Sequence, residues 1–257
     1  MSSTESRSSY TISAAGVLLF AALWKIGAYV AGAEVILPGP LRVLETFGEV
    51  LRSEAFPPAL LHTALRGGTA FLISSILALM LGLAAGLSNG VRDLMRPLVI
   101  IIKSTPVMSF ILLALIWFPS GFVPIFVSVL MAFPIIYENV QVGLRAVDPR
   151  LLEMARVYRV SRIKILRTIL LPGIFSYFFA ASKTAFGIIW KAVIAAEILS
   201  RPTAAVGSEM YEAKIYIETA SVLAWTMVAV LLSALSELLL QAASGLVRGV
   251  RKGGMSL

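Results

Sequence analysis

Apolar runs of about 20 residues recur almost from one end of this chain to the other, and that repetition limits what it can fold into. A helix of roughly that length crosses the hydrocarbon core of a bilayer. In lipid every backbone N–H and C=O must be satisfied within the element, which helices do and open sheets do not. The runs span about Tyr10 to Ala31, Arg66 to Leu87, Pro97 to Phe118, Phe122 to Tyr137, Gly173 to Leu199 and Ala220 to Leu246. The chain is 58% hydrophobic and 14% charged, where soluble domains carry about 25% charged residues. These numbers predict an all-α polytopic membrane protein of about six transmembrane helices. Its parts are a tail at 1–9, expected to be unstructured, a membrane domain at 10–246 and a second tail at 247–257.

Several classes of chemistry are excluded by residue content. The chain has no cysteine and one histidine, His62, so thiolate and polyhistidine metal sites are not expected. No Gly-x4-Gly-Lys-Ser/Thr phosphate loop is present, so no cofactor is expected in this chain. The net charge of +8 is read as basic loops facing the cytoplasm and anionic lipid, not as a nucleic-acid surface. No cleavable signal peptide is expected, because the first run lacks a short apolar core ending in a small-x-small site.

The lengths between runs place the polar segments. Leu37-Pro38-Gly39-Pro40 forms a turn, and Leu41, Val43, Leu44 and Phe47 give an amphipathic helix at or outside the interface. Gly67, Gly68, Ala78, Gly82, Ala85 and Gly86 allow close helix approach in the second run. Pro106 falls inside the third run, and Pro124 and Pro134 inside the fourth. The segment from Glu138 to Arg167 is the longest polar one, with seven basic residues, and predicts surface helices. A loop is expected from Leu199 to Thr219.

Lysine and arginine set the orientation. With both termini inside, the inner segments hold Arg7, Arg92, Arg96, the seven cations of 138–167, Arg248, Arg251 and Lys252; the outer ones hold Arg42, Arg52, Arg201 and Lys214. The bias predicts cytoplasmic termini and a cytoplasmic 138–167 segment.

That segment contains Glu153-Met154-Ala155-Arg156-Val157-Tyr158-Arg159-Val160, continuing to Ile169-Leu170-Leu171-Pro172. It resembles the cytoplasmic signature of ABC importer permeases: Glu-Ala-Ala, three residues, Gly, nine residues, then Ile-x-Leu-Pro. Glu153, Ala155, Ile169, Leu171 and Pro172 match at the family spacing, while Met154 replaces the central Ala and Arg159 stands where Gly is expected. A somewhat different turn is therefore anticipated at Arg159. Asp148 and Pro149 upstream also look family-like. Ile36-Leu37-Pro38-Gly39-Pro40, Lys103-Ser104-Thr105-Pro106 and the stretch from Gly187 to Glu197 extend the likeness over roughly residues 36 to 240. Together they resemble the nitrate/taurine/aliphatic-sulfonate branch, which also imports bicarbonate, cyanate and some vitamins or their precursors.

The resemblance implies that a coupling loop at about 143–172, with Asp148, Glu153, Ala155, Arg156, Arg159, Ile169, Leu171 and Pro172, docks on a separate ATPase subunit. It further implies two ATPase copies, which bind ATP and Mg, a second permease copy as homodimer, and an extracytoplasmic solute-binding protein. The alternative to docking is a basic amphipathic loop lying on anionic lipid.

Charges inside spans are costly and usually face a bundle interior or a water-filled cavity. Lys25, Lys103, Lys183, Lys191, Glu197 and Glu237 are such residues. On a helical wheel Lys183 and Glu197 lie about 40° apart and Lys183 and Lys191 about 80°. Lys183, Lys191 and Glu197 are thus expected to share a broad face on a helix that the resemblance places beside the translocation path, with Glu197, near the outer end, read alternatively as a structural or gating partner. A cationic lining would favour an anionic solute. Ser104, Thr105 and Pro106 are expected to break the third span at the pore, a packing kink being the alternative. Lys103 and Lys183 are alternatively headgroup-snorkelling residues. Trp24, Trp117, Trp190 and Trp225 are expected to act as interfacial belt anchors.

Two rivals make different demands. An ion-coupled secondary transporter would show internal repeats with paired broken helices. An intramembrane enzyme would need a dyad, and Ser182 and Lys183, being adjacent, point to different helix faces.

Overall fold

Between residues 59 and 85 small side chains recur every three or four positions: Ala59, Thr63, Gly67, Ala70, Ser74, Ala78, Gly82 and Ala85. All eight are buried. In lipid, helices gain nothing from hiding apolar surface from one another, so close backbone approach across small residues supplies the packing. This stripe organises the molecule. The computed structural model describes residues 3–253, with side chains described for 15–242, 244 and 245.

The described residues form α1 (Ser3–Ala31), α2 (Pro40–Arg52), α3 (Phe56–Leu87), α4 (Asn89–Ser104), α5 (Val107–Trp117), α6 (Val123–Arg145), α7 (Pro149–Val157), α8 (Arg162–Ile165), α9 (Leu171–Ser200), α10 (Val206–Ile215) and α11 (Thr219–Gly253). A π-helical turn, Leu166–Leu170, joins α8 to α9. Four helical stretches are long and apolar enough to cross a membrane: Phe56–Leu87, Val123–Arg145, Arg162–Ser200 and Thr219–Ala242. The α4–α5 pair qualifies as one bent unit, and Ala15–Ala31 adds a shorter apolar helix. About six spans therefore stand.

The core is a stack of α3, α6 and α9. Ala78, Ala85, Ile136, Val140, Ile174, Ala185 and Ile189 meet there, all 2% exposed or less. Gly67 shows what the small residues do: a Cβ there would lie 2.4 Å from the Trp190 ring. Trp190 and Trp225 are each only 4% exposed. They are core residues, not belt anchors, because α3 offers a glycine against one and Phe56 a ring against the other. Trp24 donates its indole N–H to the Pro38 carbonyl, and Trp117 is exposed.

Several boundaries differ from expectation. The third span, by contrast, breaks where a break was expected: α4 and α5 meet at 100° across Thr105 and Pro106. Proline has no N–H and disfavours helix in the residue before it, and Thr105 is extended at φ −78°, ψ 128°. The fifth span does not begin at Gly173. It is continuous with the surface segment from Arg162 onward. Pro172 would clash with the carbonyl of residue 168 in a regular helix. The π turn widens that place, with the Leu171 N–H bonded to the Leu166 carbonyl five residues back.

The tail expected to be unstructured at 1–9 is helical from Ser3, and α11 runs on to Gly253 through most of 247–257. The charges of Arg7, Arg248, Arg251 and Lys252 lie on side chains outside those described. The loop expected at 199–219 holds α10. In α2 the buried stripe is Val43, Thr46 and Val50, facing α11, while Leu41 and Leu44 are exposed.

Candidate functional site

Two regions of the sequence were expected to matter, the 143–172 loop and the in-span charges. In the loop, α6 ends at Arg145. The Asp148 carboxylate accepts the Arg150 N–H at 2.9 Å and caps α7, with Pro149 at its first position. Ala155 is buried at 3%. Glu153, Met154, Arg156, Val157 and Tyr158 are exposed, the last two by 79% and 76%.

The turn after α7 is left-handed at Arg159. Arg159 adopts φ 51°, the left-handed conformation that glycine enters without steric cost. The Val160 N–H bonds the Ala155 carbonyl at 2.9 Å and the Arg159 N–H bonds that of Arg156 at 3.0 Å. This is the Schellman arrangement with arginine in the glycine position. Arginine thus holds a backbone position that suits glycine, and the residue is strained.

Below the turn, Ile169 is half-buried, Leu170 is buried, and Leu171 and Pro172 lie at the start of α9. Gly173 packs against Val147 so closely that a Cβ would meet that side chain at 2.7 Å. The two ends of the loop therefore pack against each other through Val147 and Gly173, and the second end continues into α9 as an unbroken helix.

The in-span charges separate into four places. Lys103 on α4 donates to both carboxylate oxygens of Glu138 on α6, at 2.8 and 2.9 Å. It holds an ion pair there and is not simply a headgroup anchor. Lys183 lies 3.9 Å from Glu237 on α11. Lys191, two turns further along α9, is exposed and lines a groove of about 570 Å³ between α9 and α11, together with Thr226, Ser233 and Glu237. Lys25 lines a small hollow beside Gly39 and Pro40.

Glu197 does not join this face. It is fully buried. Its carboxylate accepts from Thr63 Oγ1 at 3.0 Å, Arg66 Nη1 at 2.9 Å and the Gly207 N–H at 3.1 Å. Thr63 Oγ1 in turn accepts the Val206 N–H at 3.0 Å, and the Arg66 guanidinium reaches the carbonyls of Thr203 and Ala204. The wheel position near Lys183 misleads because α3 and α10 cover the end of α9. Thr63, Arg66 and Gly207 were not anticipated as a unit. The available signal was a lone arginine and a lone carboxylate in two apolar runs.

Ser104, Thr105 and Pro106 sit at the α4–α5 break. The Ser104 and Thr105 hydroxyls donate back to the Ile101 carbonyl at 3.2 and 2.7 Å, closing the last turn of α4.

Comparison with known proteins agrees with this architecture. Residues 75–249 match the family described as the binding-protein-dependent transport system inner membrane component. A Bacillus subtilis protein named as an aliphatic sulfonates transport permease is 27% identical over 218 residues, covering 84% of this chain and 79% of its own. The bicarbonate transport system permease protein of Synechococcus elongatus is 27% identical, with 77% and 75% covered. The taurine transport system permease protein of Escherichia coli is 25% identical, with 88% and 84% covered. A set of apolar helices joined by a braced helical loop, matched to this family over most of its length, identifies the chain as a multi-pass inner-membrane permease belonging to the binding-protein-dependent ABC importers, in their nitrate/taurine/sulfonate branch.

Proposed function

We propose that this permease carries a small anion, of the sulfonate, taurine, nitrate or bicarbonate kind, across the membrane in an ATP-driven importer. A separate nucleotide-binding subunit hydrolyses ATP with Mg, and this chain binds neither. Two permease copies, two ATPase subunits and one extracytoplasmic binding protein make the assembly, with both termini of the permease in the cytoplasm. A vitamin or vitamin precursor is the alternative cargo.

The observation that carries the reading is the exposure on α7. Met154, Val157 and Tyr158 are large, apolar or aromatic, and uncovered on a short helix that lies between spans. Exposed clusters of this kind mark protein contacts, and the neighbouring Glu153 and Arg156 give the contact polar specificity. Because the helix beginning at Arg162 runs unbroken to Ser200, a push on the loop is delivered along α9. The bent α4–α5 pair and the Lys191 groove are the parts of the pathway that this push would rearrange, and Lys183 and Lys191 supply the positive charge an anion would meet.

The test is Glu153→Lys, with the ATPase subunit co-expressed. The variant is expected to insert normally and to lose both ATPase co-purification and uptake. Wild-type uptake in that variant would remove the docking proposal. Orientation is read separately: with no native cysteine, Tyr158→Cys is expected to resist an impermeant maleimide in intact cells and to react in inside-out vesicles.

A further inference from the structure

At the end of the bundle nearest α7, the first turns of α4 face the last turns of α6 across a cleft of about 680 Å³. Arg92, Arg96 and Arg145 line it, with Asp93, Glu138 and Gln141. The transport reading uses none of these arginines. We propose that this cleft is a binding site for a phosphate-type oxyanion, and that the phosphodiester of an anionic lipid is its favoured occupant.

The charge balance points to an anion. Glu138 is already engaged by Lys103 at 2.8 Å, which leaves Asp93 as the other lining carboxylate. Among the described residues no carboxylate stands within ion-pair distance of Arg92, Arg96 or Arg145. The Arg92 Nε is buried and has no hydrogen-bond partner, and a buried donor left unmet is costly. Guanidinium forks match the geometry of phosphate oxygens and bind them through paired charge-assisted bonds.

The surroundings favour a lipid over a free ion. On α4 the next turns expose Leu94, Leu98, Ile100 and Ile101. An oxyanion held by the arginines would thus have an apolar helix face running away from it, the arrangement that suits a headgroup attached to acyl chains. None of the cleft's lining residues belongs to α7 or to the Lys191 groove. Its neighbour is the α6–α7 connection, because Arg145 lies three residues before the Asp148 cap.

The experiment uses the full-length permease in an uncharged detergent at constant ionic strength. It is titrated with phosphatidylglycerol, with phosphatidylcholine and with inorganic phosphate, and binding is read by native mass spectrometry and by the thermal midpoint. Phosphatidylglycerol is expected to bind and raise the midpoint, phosphatidylcholine to do neither. Arg96→Gln/Arg145→Gln is expected to weaken phosphatidylglycerol about tenfold, the loss of charge-assisted contacts. A response to inorganic phosphate as strong as that to the lipid would support the anion site and overturn the lipid as occupant. Equal binding by wild type and the double variant would overturn the site itself. Should the double variant fail to fold, Asp93→Asn decides: it is expected to tighten binding about threefold, and unchanged affinity would overturn the site.

Discussion

The Nη1 of Arg66 lies 2.9 Å from Oε1 of Glu197, joining two spans across 131 positions of sequence. The Glu197 carboxylate is fully buried and the Arg66 side chain 11% exposed. Thr63 and the Gly207 N–H complete the carboxylate's shell. Removing one partner of such a pair leaves an uncompensated buried charge, which costs about 3–5 kcal/mol. Glu197→Ala is therefore expected to lower the thermal midpoint of the purified permease sharply. Glu197→Gln, which keeps an oxygen for Thr63 and Gly207, should lose less. Equal midpoints for wild type and Glu197→Ala would show that the network does not hold α3 to α9.

Gly67 and Trp190 make a second contact of the same helices. A Cβ at Gly67 would sit 2.4 Å from the indole ring, so Gly67→Ala forces the ring to move and should destabilise by about 1–3 kcal/mol. Trp190→Leu in that background should recover part of the loss. Independent, additive effects of the two changes in a double-mutant cycle would contradict the packing described.

The turn beside α7 stores strain in a place where glycine would store none. Arg159 at φ 51° and Ile217 at φ 61° both end helices in the left-handed region, and the branched Ile217 is the poorer fit. Arg159→Gly and Ile217→Gly are each expected to raise stability by about 1 kcal/mol. Hydrogen exchange of the flanking amides measures this locally; faster exchange in either variant would refute it.

Lys191 is exposed and lines the groove between α9 and α11. If it faces the path of an anion, Lys191→Ala should raise the half-saturating concentration for uptake and leave protein level and thermal midpoint unchanged. Uptake kinetics identical to wild type would exclude Lys191 from the pathway. Lys191→Arg should restore most of the activity, since charge is what the role requires.

Glu209 on α10 has its carboxyl raised above the usual range, chiefly by burial and then by the Glu212 charge. A raised folded-state value means that ionisation is harder in the fold, so stability is highest below the unfolded value and falls as pH rises through the folded one. Glu209→Gln should raise the midpoint at neutral pH and leave it unchanged near pH 4, below the ordinary glutamate value of about 4.3. A midpoint difference that does not vary with pH would contradict this.

The parts legible in the sequence were those with a local cause. Six apolar segments follow from hydropathy over about 20 residues. The Pro106 break follows from what proline does to the nearest few peptide bonds. The motif residues Glu153, Ala155 and Pro172 were legible as a spacing. Their surroundings were not: the π turn that accommodates Pro172 and the left-handed Arg159 depend on how the loop is held between two spans.

The misplaced residues share one feature. The helical wheel set Glu197 on the Lys183 face because a wheel covers only its own helix, so even its reading as a structural partner came without Thr63, Arg66 and Gly207, and Trp190 read as a belt anchor because its distance from the span end was all the sequence offered. The chain alone determined that it is a bundle of bilayer-length helices with a charged loop between two of them, since hydropathy and proline act over neighbouring residues. The tertiary structure decided which charges are paired, which aromatic rings are core and where three arginines converge, since those outcomes depend on which side of each helix its neighbours cover.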